Sequence, residues 1–459
     1  MEKLLLSEAA DYVGGTLSGR DCEISSVSTD TRTMEAGCLF IPLAGQNFDG
    51  HDFIPRAAEK GAAAFFSEKT DIGGGLPFVA VRSMNDALLM LAERYKERFD
   101  LKTVGITGSV GKTTTKEMTA AVLSTKYKTL KTEGNYNNFV GLPLTVMNLD
   151  RSYGAAVLEM GMSDFGEISR LTRVARPDVA VITAIGVSHI EYLGSREGIL
   201  KAKLEILEGL SPGGIAVLNG DEPLLYRLKG TLPYNTVYFG RVNPECDVFA
   251  DDISETENGL RFTVTTKEGS FCAELNVAGR HNINDALAAA ACGLHFGLTE
   301  RQVQEGLSLF RNVGMRQRIY AKNGLTVIED CYNASPDSVS AALEVLKGVK
   351  TGGRRFAVLG GMKELGDYAK KGHSDCGALA SHAADYLFVF GENAEYYVDG
   401  AKKAGMESGR VRIFQSKPEL ARALSETARP DDVLLFKGSR AMKMEEVPEL
   451  LFGEKRYEV

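Results

Sequence analysis

Short apolar runs alternate with stretches of helical periodicity through the central part of the chain. Each run is too short for a helix, and each is separated from the next by apolar residues at helical spacing. This alternation is typical of a mostly parallel sheet with helices on both faces. The strand candidates are residues 103–106, 155–160, 179–184 and 215–218.

Residues 246–277 follow a different pattern, because apolar and polar side chains alternate there with a period of two. Asn258-Gly259 and Glu268-Gly269 are turn signals within this segment. The segment therefore predicts β-hairpins, placed as an antiparallel edge or side sheet.

The two ends of the chain predict separate domains. Residues 1–83 mix short strands and helices, and a helical pattern from Ser83, a plausible N-cap, to Phe99 leads into the next unit. After residue 314 the strand–helix alternation restarts, as in a dinucleotide-binding fold, but without GxGxxG at its first turn. Its strand candidates are residues 326–329, 356–359, 387–390, 411–414 and 433–436. We expect an α/β protein of three domains: residues 1–83, small and mixed; 84–313, with a P-loop-like, mostly parallel sheet; and 314–459, Rossmann-like.

Composition narrows the class of protein. With 44% hydrophobic and 25% charged residues, the chain has ordinary globular composition. A net charge of −8 without long runs of one sign argues against nucleic-acid or anionic-membrane binding. The seven cysteines form no CxxC pair, which is typical of reduced thiols. No signal peptide and no stretch of ~18 apolar residues is found, so we expect a cytoplasmic protein without membrane contact.

The segment 107–114, TGSVGKTT, lies between an apolar strand and a helix. Glycines let backbone N–H groups turn toward phosphate oxygens, and the helix N-terminus adds a partial positive charge. Lys112 is expected to reach the outer phosphates, and the Thr113 hydroxyl to help hold Mg²⁺. Ile106 stands where the strict pattern GxxxxGK[ST] has its first glycine, so this loop is a variant. The alternative is a glycine-rich turn with a chance lysine.

Two polar residues follow other strands of the predicted central sheet. Glu159 ends one apolar run, and His189 comes shortly after another. Ligands of open α/β sheets collect beyond the carboxyl ends of the strands. Mg²⁺ prefers oxygen ligands, so Glu159 suits it better than His189 does. Taken singly, either could be a surface residue at a strand end; beside the phosphate loop they predict a metal site.

These residues, together with the asparagine-rich segment 134–143, resemble the Mur ligase family over essentially the whole chain. The resemblance implies that Lys112, His189 and Lys203 are catalytic, and that ATP and Mg²⁺ are the cofactors. The metal ligands implied are Thr113, Glu159, His189 and Lys203. The nucleotide-binding residues implied are Thr107, Gly108, Ser109, Gly111, Lys112, Thr113, Thr114, Asn282, Arg316 and Asp330.

The substrate-binding residues that the resemblance implies lie in all three predicted domains: Ser28, Thr31, Arg32, Asp49, Asn137, Asn138 and Asn333. The first four correspond to the uridine-nucleotide site of the family. Arg318 is an alternative to Arg316 as the phosphate cation, and residues 437–440 resemble the loop near the acceptor amine.

Three positions leave questions open. Lys203 matches a lysine that many members carry as a carbamate, but Lys201 is two residues away and a solvated helix face would explain both. Asp285 and Ser335 stand where the family usually has asparagine, which puts side-chain roles there in doubt. Asn282 is expected near the adenine, and asparagine is also a good helix N-cap.

The resemblance further implies a monomer that joins D-alanyl-D-alanine to UDP-N-acetylmuramoyl-tripeptide in peptidoglycan precursor synthesis, through an acyl phosphate. An open form is expected to close around the substrates. The alternatives are a relative that adds one diamino acid, a folylpolyglutamate synthase, or a protein that uses ATP only as a switch. The third residue of the tripeptide, lysine or diaminopimelate, is left open.

Overall fold

The computed structural model describes residues 1–45, 48–69 and 75–454, and these form three groups of elements, each around a main sheet. In the first group the strands are β1 (Leu4–Leu5), β2 (Thr16–Ser18), β3 (Glu23–Ile24), β4 (Ser26–Ser28), β5 (Cys38–Phe40), β6 (Ala64–Ser67) and β7 (Phe78–Ala80). Its helices are α1 (Leu6–Val13), α2 (Ile54–Glu59) and α3 (Met84–Lys96). The sheet order is β2-β7-β6-β5-β4, with β2 antiparallel to β7 and the remaining pairs parallel.

Helix α3 begins after Ser83, whose hydroxyl accepts a hydrogen bond from the Asp86 N–H at 3.3 Å. This capping is what the sequence pattern predicts. The helix packs against α1 on one side and against helices of the central group on the other. Tyr95, fully buried, donates its hydroxyl proton to the carbonyl of Leu149 at 2.7 Å. One apolar core therefore continues from the first group into the second.

The central group contains nine strands: β8 (Lys102–Thr107), β9 (Thr129–Lys131), β10 (Ala155–Glu159), β11 (Val179–Ile182), β12 (Ile215–Asn219), β13 (Asn235–Gly240), β14 (Val248–Thr256), β15 (Gly259–Thr266) and β16 (Ser270–Leu275). Its helices are α4 (Lys112–Ser124), α5 (Gly141–Val146), α6 (Glu167–Ala175), α7 (Ile190–Leu193), α8 (Arg196–Leu204), α9 (Pro223–Tyr226), α10 (Asn282–His295) and α11 (Glu300–Leu309). The strands form one sheet in the order β16-β15-β14-β13-β12-β11-β8-β10-β9.

The pairs from β9 to β14 are parallel, and the hairpins β14–β16 extend the same sheet as an antiparallel edge. Strand β8 lies between β10 and β11, and all three end at the same edge of the sheet. Parallel strands place their following loops together, so the phosphate loop, Glu159 and the segment after β11 share one edge.

The last group has the strands β17 (Arg318–Lys322), β18 (Leu325–Asp330), β19 (Arg355–Gly360), β20 (Tyr386–Phe390), β21 (Val411–Phe414) and β22 (Val433–Lys437). Its helices are α12 (Pro336–Gly348), α13 (Ala369–Ala383), α14 (Ala394–Lys403), α15 (Lys417–Thr427) and α16 (Glu446–Phe452). The order is β17-β18-β22-β19-β20-β21, parallel except for β17. This parallel-rich sheet agrees with the α/β alternation of the sequence.

Apolar clusters cover both faces of the last sheet, and one of them includes Val187 of the central group. The two groups therefore meet in a packed junction next to β11. Across the described ranges, none of the helices has the length and apolar character that a membrane span requires.

Candidate active site

A cavity of about 650 Å³ opens between the central and last groups of elements. Of the residues predicted from sequence, it is lined by Ser109, Gly111, Lys112, Thr113, Thr114, Asn137, Asn138, Glu159, His189, Lys203, Asn282, Arg316, Asp330 and Asn333. The predicted residues outside its lining are Ser28, Thr31, Arg32, Asp49, Thr107 and Gly108. The predicted residues that meet in this cleft are up to 224 positions apart in the sequence, from Ser109 to Asn333.

The phosphate loop connects β8 to α4 and depends on two glycines. Gly108 has φ 153°, and a Cβ there would lie 1.8 Å from the Thr183 hydroxyl oxygen. Gly111 has φ 85°, in the left-handed region, and a Cβ would lie 2.6 Å from Asp285 Oδ1. The Lys112 ammonium folds back onto the Gly108 carbonyl at 2.7 Å. Burial is the main cause that lowers the pKa of the Lys112 ammonium.

Thr107 and Gly108 contribute to the loop through contacts within the protein. The Thr107 hydroxyl donates to the carbonyl of Met160 at 2.9 Å, and its side chain is fully buried. The Gly108 carbonyl accepts from Lys112. Ser109, by contrast, has a buried hydroxyl with no hydrogen-bond partner within the described ranges, which leaves it available to an anion.

The Glu159 carboxylate is held at the end of β10 by three side chains. Thr113 donates its hydroxyl proton to Oε2 at 3.0 Å, and Asn137 donates from Nδ2 to Oε1 at 2.8 Å. The fully buried Lys116 places its ammonium 3.8 Å from Oε2 and donates to the Thr132 carbonyl at 2.6 Å. Sequence reasoning missed Lys116, although it lies one helical turn after Lys112.

The structure separates the two lysines of α8. Lys201 is exposed, and its ammonium lies 5.6 Å from the centroid of the Phe165 ring. Lys203 is only 2% exposed and faces the cavity. Burial, with a smaller contribution from the nearby Lys112 cation, lowers the pKa of Lys203 well below its ordinary value. Burial therefore favours the uncharged amine, which is the form that reacts with carbon dioxide.

His189 lies just before α7 and faces the last group of elements. Its Nδ1 is 2.6 Å from Oε2 of Glu364, and the nearby His189 imidazole lowers the pKa of the Glu364 carboxyl group. Glu364 was not singled out from sequence, although it lies four residues after the end of strand β19.

Polar side chains mark the start of α10. His281 occupies the N-cap position, and Asn282, for which an N-cap role was the alternative, is the first helical residue and donates its amide to the Ala278 carbonyl at 2.7 Å. Asp285 lies beneath the phosphate loop and accepts the Thr115 hydroxyl proton at 2.7 Å. Burial raises the pKa of Asp285 to about 7 and lowers that of His281 to about 4.

The last group contributes an ion pair to the cavity. The Lys437 ammonium lies 2.6 Å from Asp330 Oδ2 and 3.1 Å from the Asn333 carbonyl oxygen. The Arg316 guanidinium stacks 4.0 Å from the centroid of the Tyr332 ring. The side chain of Arg318 lies 5.2 Å from the Tyr320 ring and is not part of the cavity lining.

Ser335, which replaces the usual asparagine, is the N-cap of α12. Its hydroxyl accepts from the Ser338 N–H at 3.4 Å, and the two residues form a capping box. Ser335 therefore serves as an N-cap, and asparagine is also a favourable residue at an N-cap position.

The residues predicted for the uridine nucleotide form two local clusters in the first group. The Ser28 hydroxyl accepts from the Asp30 N–H at 3.1 Å, and Asp30 pairs with Arg32 at 2.7 Å. Buried Thr31 lies between these two residues in the chain. In the second cluster Asp49 accepts from Lys69 at 2.8 Å and from the His51 N–H at 3.0 Å. The hydrogen bond from Lys69 is the largest cause of the lowered pKa of Asp49, followed by those from His51.

Three family models match successive parts of the chain. They are described as Mur ligase family, catalytic domain, over residues 23–96; Mur ligase middle domain, over 106–293; and Mur ligase, glutamate ligase domain, over 315–440.

Proteins similar over the full length agree with these models. The chain is 42% identical to the UDP-N-acetylmuramoyl-tripeptide--D-alanyl-D-alanine ligase of Bacillus subtilis, over 97% of this chain and 98% of that protein. A crystal structure of MurF from Acinetobacter baumannii matches with a TM-score of 0.92 and 30% identity, over 99% of this chain and 100% of that one. MurF ligase from Thermotoga maritima, solved in complex with ADP, matches with a TM-score of 0.83 and 31% identity, over 94% and 97%.

Proposed function

The chain belongs to the Mur ligase family, and from this premise we propose that it is the ligase that joins D-alanyl-D-alanine to UDP-N-acetylmuramoyl-tripeptide with the energy of ATP. The observation that carries the proposal is the single cleft in which the phosphate loop and Glu159 face Asp330 and Asn333. A site that transfers phosphate to one substrate and then admits a second needs both walls.

The reaction proceeds in two steps. An oxygen of the terminal tripeptide carboxylate attacks the γ-phosphorus, the bond from that phosphorus to ADP breaks, and an acyl phosphate forms. The amine of D-alanyl-D-alanine then attacks the acyl carbon, phosphate leaves, and the amine loses a proton. The protein contributes positioning and charge neutralisation more than covalent chemistry.

Lys112 lies at the start of α4, where its ammonium and the helix N-terminus face the phosphates together. Nucleotide binding replaces its bond to the Gly108 carbonyl with a bond to a phosphate oxygen. On the opposite wall Asp330 is held by Lys437 and is the acceptor proposed for the ribose hydroxyls. Arg316, stacked on Tyr332, is the second phosphate cation.

The donor set at the end of β10 fits Mg²⁺. Thr113 and Glu159 supply two oxygen atoms 3.0 Å apart, and phosphate oxygens and water complete such sites. His189 and a carbamate on Lys203 are the further ligands proposed. Bound Mg²⁺ would neutralise charge on the transferred phosphoryl group. Asn137 holds the Glu159 carboxylate in place, and Asn138 caps the turn before α5 by accepting from the Gly141 N–H at 2.9 Å.

For the uridine nucleotide we propose the clusters around Arg32 and Asp49 in the first group. Arg32 is largely exposed, with 79% side-chain accessibility, so it can exchange its Asp30 partner for a diphosphate. The division of the chain at residues 83/84 and 313/314, the monomeric state and the cytoplasmic location remain predictions from sequence.

A single assay tests the activity. The protein is incubated with ATP, Mg²⁺ and UDP-N-acetylmuramoyl-tripeptide, and phosphate release is compared with D-alanyl-D-alanine, with lysine, with diaminopimelate and with no amine. We expect release to depend on D-alanyl-D-alanine. Release with a single diamino acid instead would favour the neighbouring ligase type, and release independent of any amine would favour an ATP-driven switch. Tripeptides ending in lysine and in diaminopimelate are compared in the same assay.

A further inference from the structure

The loop between β11 and α7 packs against the last group of elements and is hydrogen-bonded to it. Val187 is buried among the apolar residues of that group, and its N–H donates to Asp337 Oδ2 at 3.1 Å. Gly186 passes so close that a Cβ would lie 2.2 Å from the same oxygen. A loop of the central sheet is therefore fixed by the wall that faces it across the cleft.

His189 and Glu364 meet at this junction with unusual backbones. His189 has φ 64° and Glu364 has φ 62°, so both are left-handed although neither is glycine. Such conformations are disfavoured for residues other than glycine and persist only where the surroundings fix them. The two side chains bring Nδ1 and Oε2 to 2.6 Å, and the Glu364 carbonyl accepts from the Glu191 N–H at 3.5 Å. Two strained residues thus face each other across the junction.

The contact bears on which imidazole nitrogen carries the proton. Within the described ranges the buried Nδ1 of His189 makes no aligned hydrogen bond, although the Glu364 carboxylate lies 2.6 Å away. A carboxylate can only accept, so a bond formed by a small rotation of either side chain would place the proton on Nδ1. Histidines that bind metals usually donate their other ring N–H to a carboxylate or carbonyl, which fixes the ring and the tautomer.

We propose that Glu364 is a positioning residue for His189, so that the last group of elements, and not the central sheet alone, completes the metal site. Glu364 holds the ring with Nε2 directed away from the junction and available as a ligand. The inference rests on the proposed function in one respect, the role of His189 as a ligand. It adds that the ligand is oriented from the opposite wall, which couples metal affinity to the approach of the two walls.

Titration with Mn²⁺ in the presence of ADP, followed by the electron paramagnetic resonance signal of free Mn²⁺, measures this role without turnover. We expect Glu364→Ala to weaken Mn²⁺ binding about tenfold or more. Glu364→Gln keeps an oxygen that can accept from Nδ1 and should lose less. The Glu364 side chain is 44% exposed, so neither substitution should unfold the protein. Glu392→Gln is the matched control, because that exposed carboxylate pairs with Lys363 and does not touch His189.

A second measurement addresses the tautomer directly. The ¹⁵N shifts of His189, assigned by comparison with His189→Ala, should show a protonated Nδ1 in the wild type and a mixture of tautomers in Glu364→Ala. A junction residue that only held the two walls together would leave the tautomer unchanged, and that result would overturn the inference.

The two proposals fail in different ways. If His189→Ala weakens Mn²⁺ binding and Glu364→Ala does not, the positioning role is wrong while the metal site stands. If His189→Ala binds Mn²⁺ as the wild type does, the assignment of His189 as a ligand is wrong, and the positioning role falls with it.

Discussion

Lys112 is the cation closest to the start of helix α4, and its substitution gives the first prediction. Lys112→Ala removes the charge that we propose neutralises the transferred phosphate, so ligation should fall by at least about 10³-fold. The fold should persist, because within the described ranges the Lys112 ammonium donates a hydrogen bond only to the adjacent loop, at the Gly108 carbonyl. Phosphate release and the melting temperature check the two halves of this statement. Turnover near that of the wild type would refute the assignment of the phosphate loop.

Lys203 gives a prediction with a matched control on the same helix. Lys203→Ala should abolish activity, and short-chain carboxylic acids should restore part of it by supplying the oxygen ligands that the proposed carbamate would provide. Lys201→Ala should retain activity, because that ammonium is exposed and stacks near Phe165. Full activity in Lys203→Ala, or a loss that carboxylic acids do not relieve, would count against the carbamate.

Asp285 makes stability depend on pH with a defined sign. Burial raises its pKa in the folded protein from 3.8 to about 7. Between these values the folded chain keeps a proton that the unfolded chain has released, so stability falls as the pH rises from about 4 to about 7. The slope can reach about 1.4 kcal/mol per pH unit.

Substitution isolates this carboxyl group. Asp285→Asn keeps an oxygen for the Thr115 hydroxyl but cannot titrate, so it should flatten the decline between pH 4 and 7 and be the more stable protein at pH 8. Chemical denaturation at a series of pH values measures the difference from the wild type. Asp399→Asn, at an exposed position, is the control and should leave the slope unchanged. Equal slopes in Asp285→Asn and the wild type would contradict the prediction.

At the scale of elements, the N-cap of α12 can be tested directly. Ser335→Ala removes the hydroxyl that accepts from the Ser338 N–H and should cost about 1 kcal/mol in the stability of the last group of elements. Ser335→Asn, the residue usual in the family, should cost little, because both side chains cap well. Denaturation monitored in the last group separates the two outcomes, and equal losses in both variants would rule out a capping role.

The buried strands could be predicted because apolar runs bounded by turns leave few alternatives. Residues 155–160 and 179–184 become β10 and β11 with ends shifted by one or two residues, and the period-two segment becomes the hairpins β14–β16. Strand β9 was not predicted, since only its middle residue is buried and its flanks are polar. Strand β17 was missed for the same reason, because no residue in it is buried.

Side-chain contacts between distant segments could not be predicted from pattern. The phosphate loop could be placed because its chemistry is local in sequence. The position of Asp285 beneath Gly111 depends on how α10 packs against α4, and that of Glu364 beside His189 depends on how the two walls meet. No local period encodes either contact. The alternative that Asn282 caps α10 does not hold, because His281 occupies the N-cap position and the Asn282 amide donates to the carbonyl of Ala278.

At the scale of the molecule, the cleft predicts a change of shape. Lys112 and Asp330 lie on opposite walls of one cavity, so a nucleotide that contacts both should hold the walls together. We expect the radius of gyration from X-ray scattering to fall when a non-hydrolysable ATP analogue and UDP-N-acetylmuramoyl-tripeptide are added together. The tripeptide substrate alone is the control. Unchanged scattering in the presence of both ligands would argue against closure.

The core shared through helix α3 limits how this protein can be recombined. Apolar side chains of α3 pack in one cluster with residues of both the first and the central groups, and Tyr95 bonds across the boundary to Leu149. A chimera that exchanges residues 1–83 with a relative would leave the inner face of α3 against foreign partners. A graft that carries α3 with it would move the mismatch to the face toward α5 and α6. Substrate specificity built into the first group can therefore be transplanted only together with the part of the central group that completes its core.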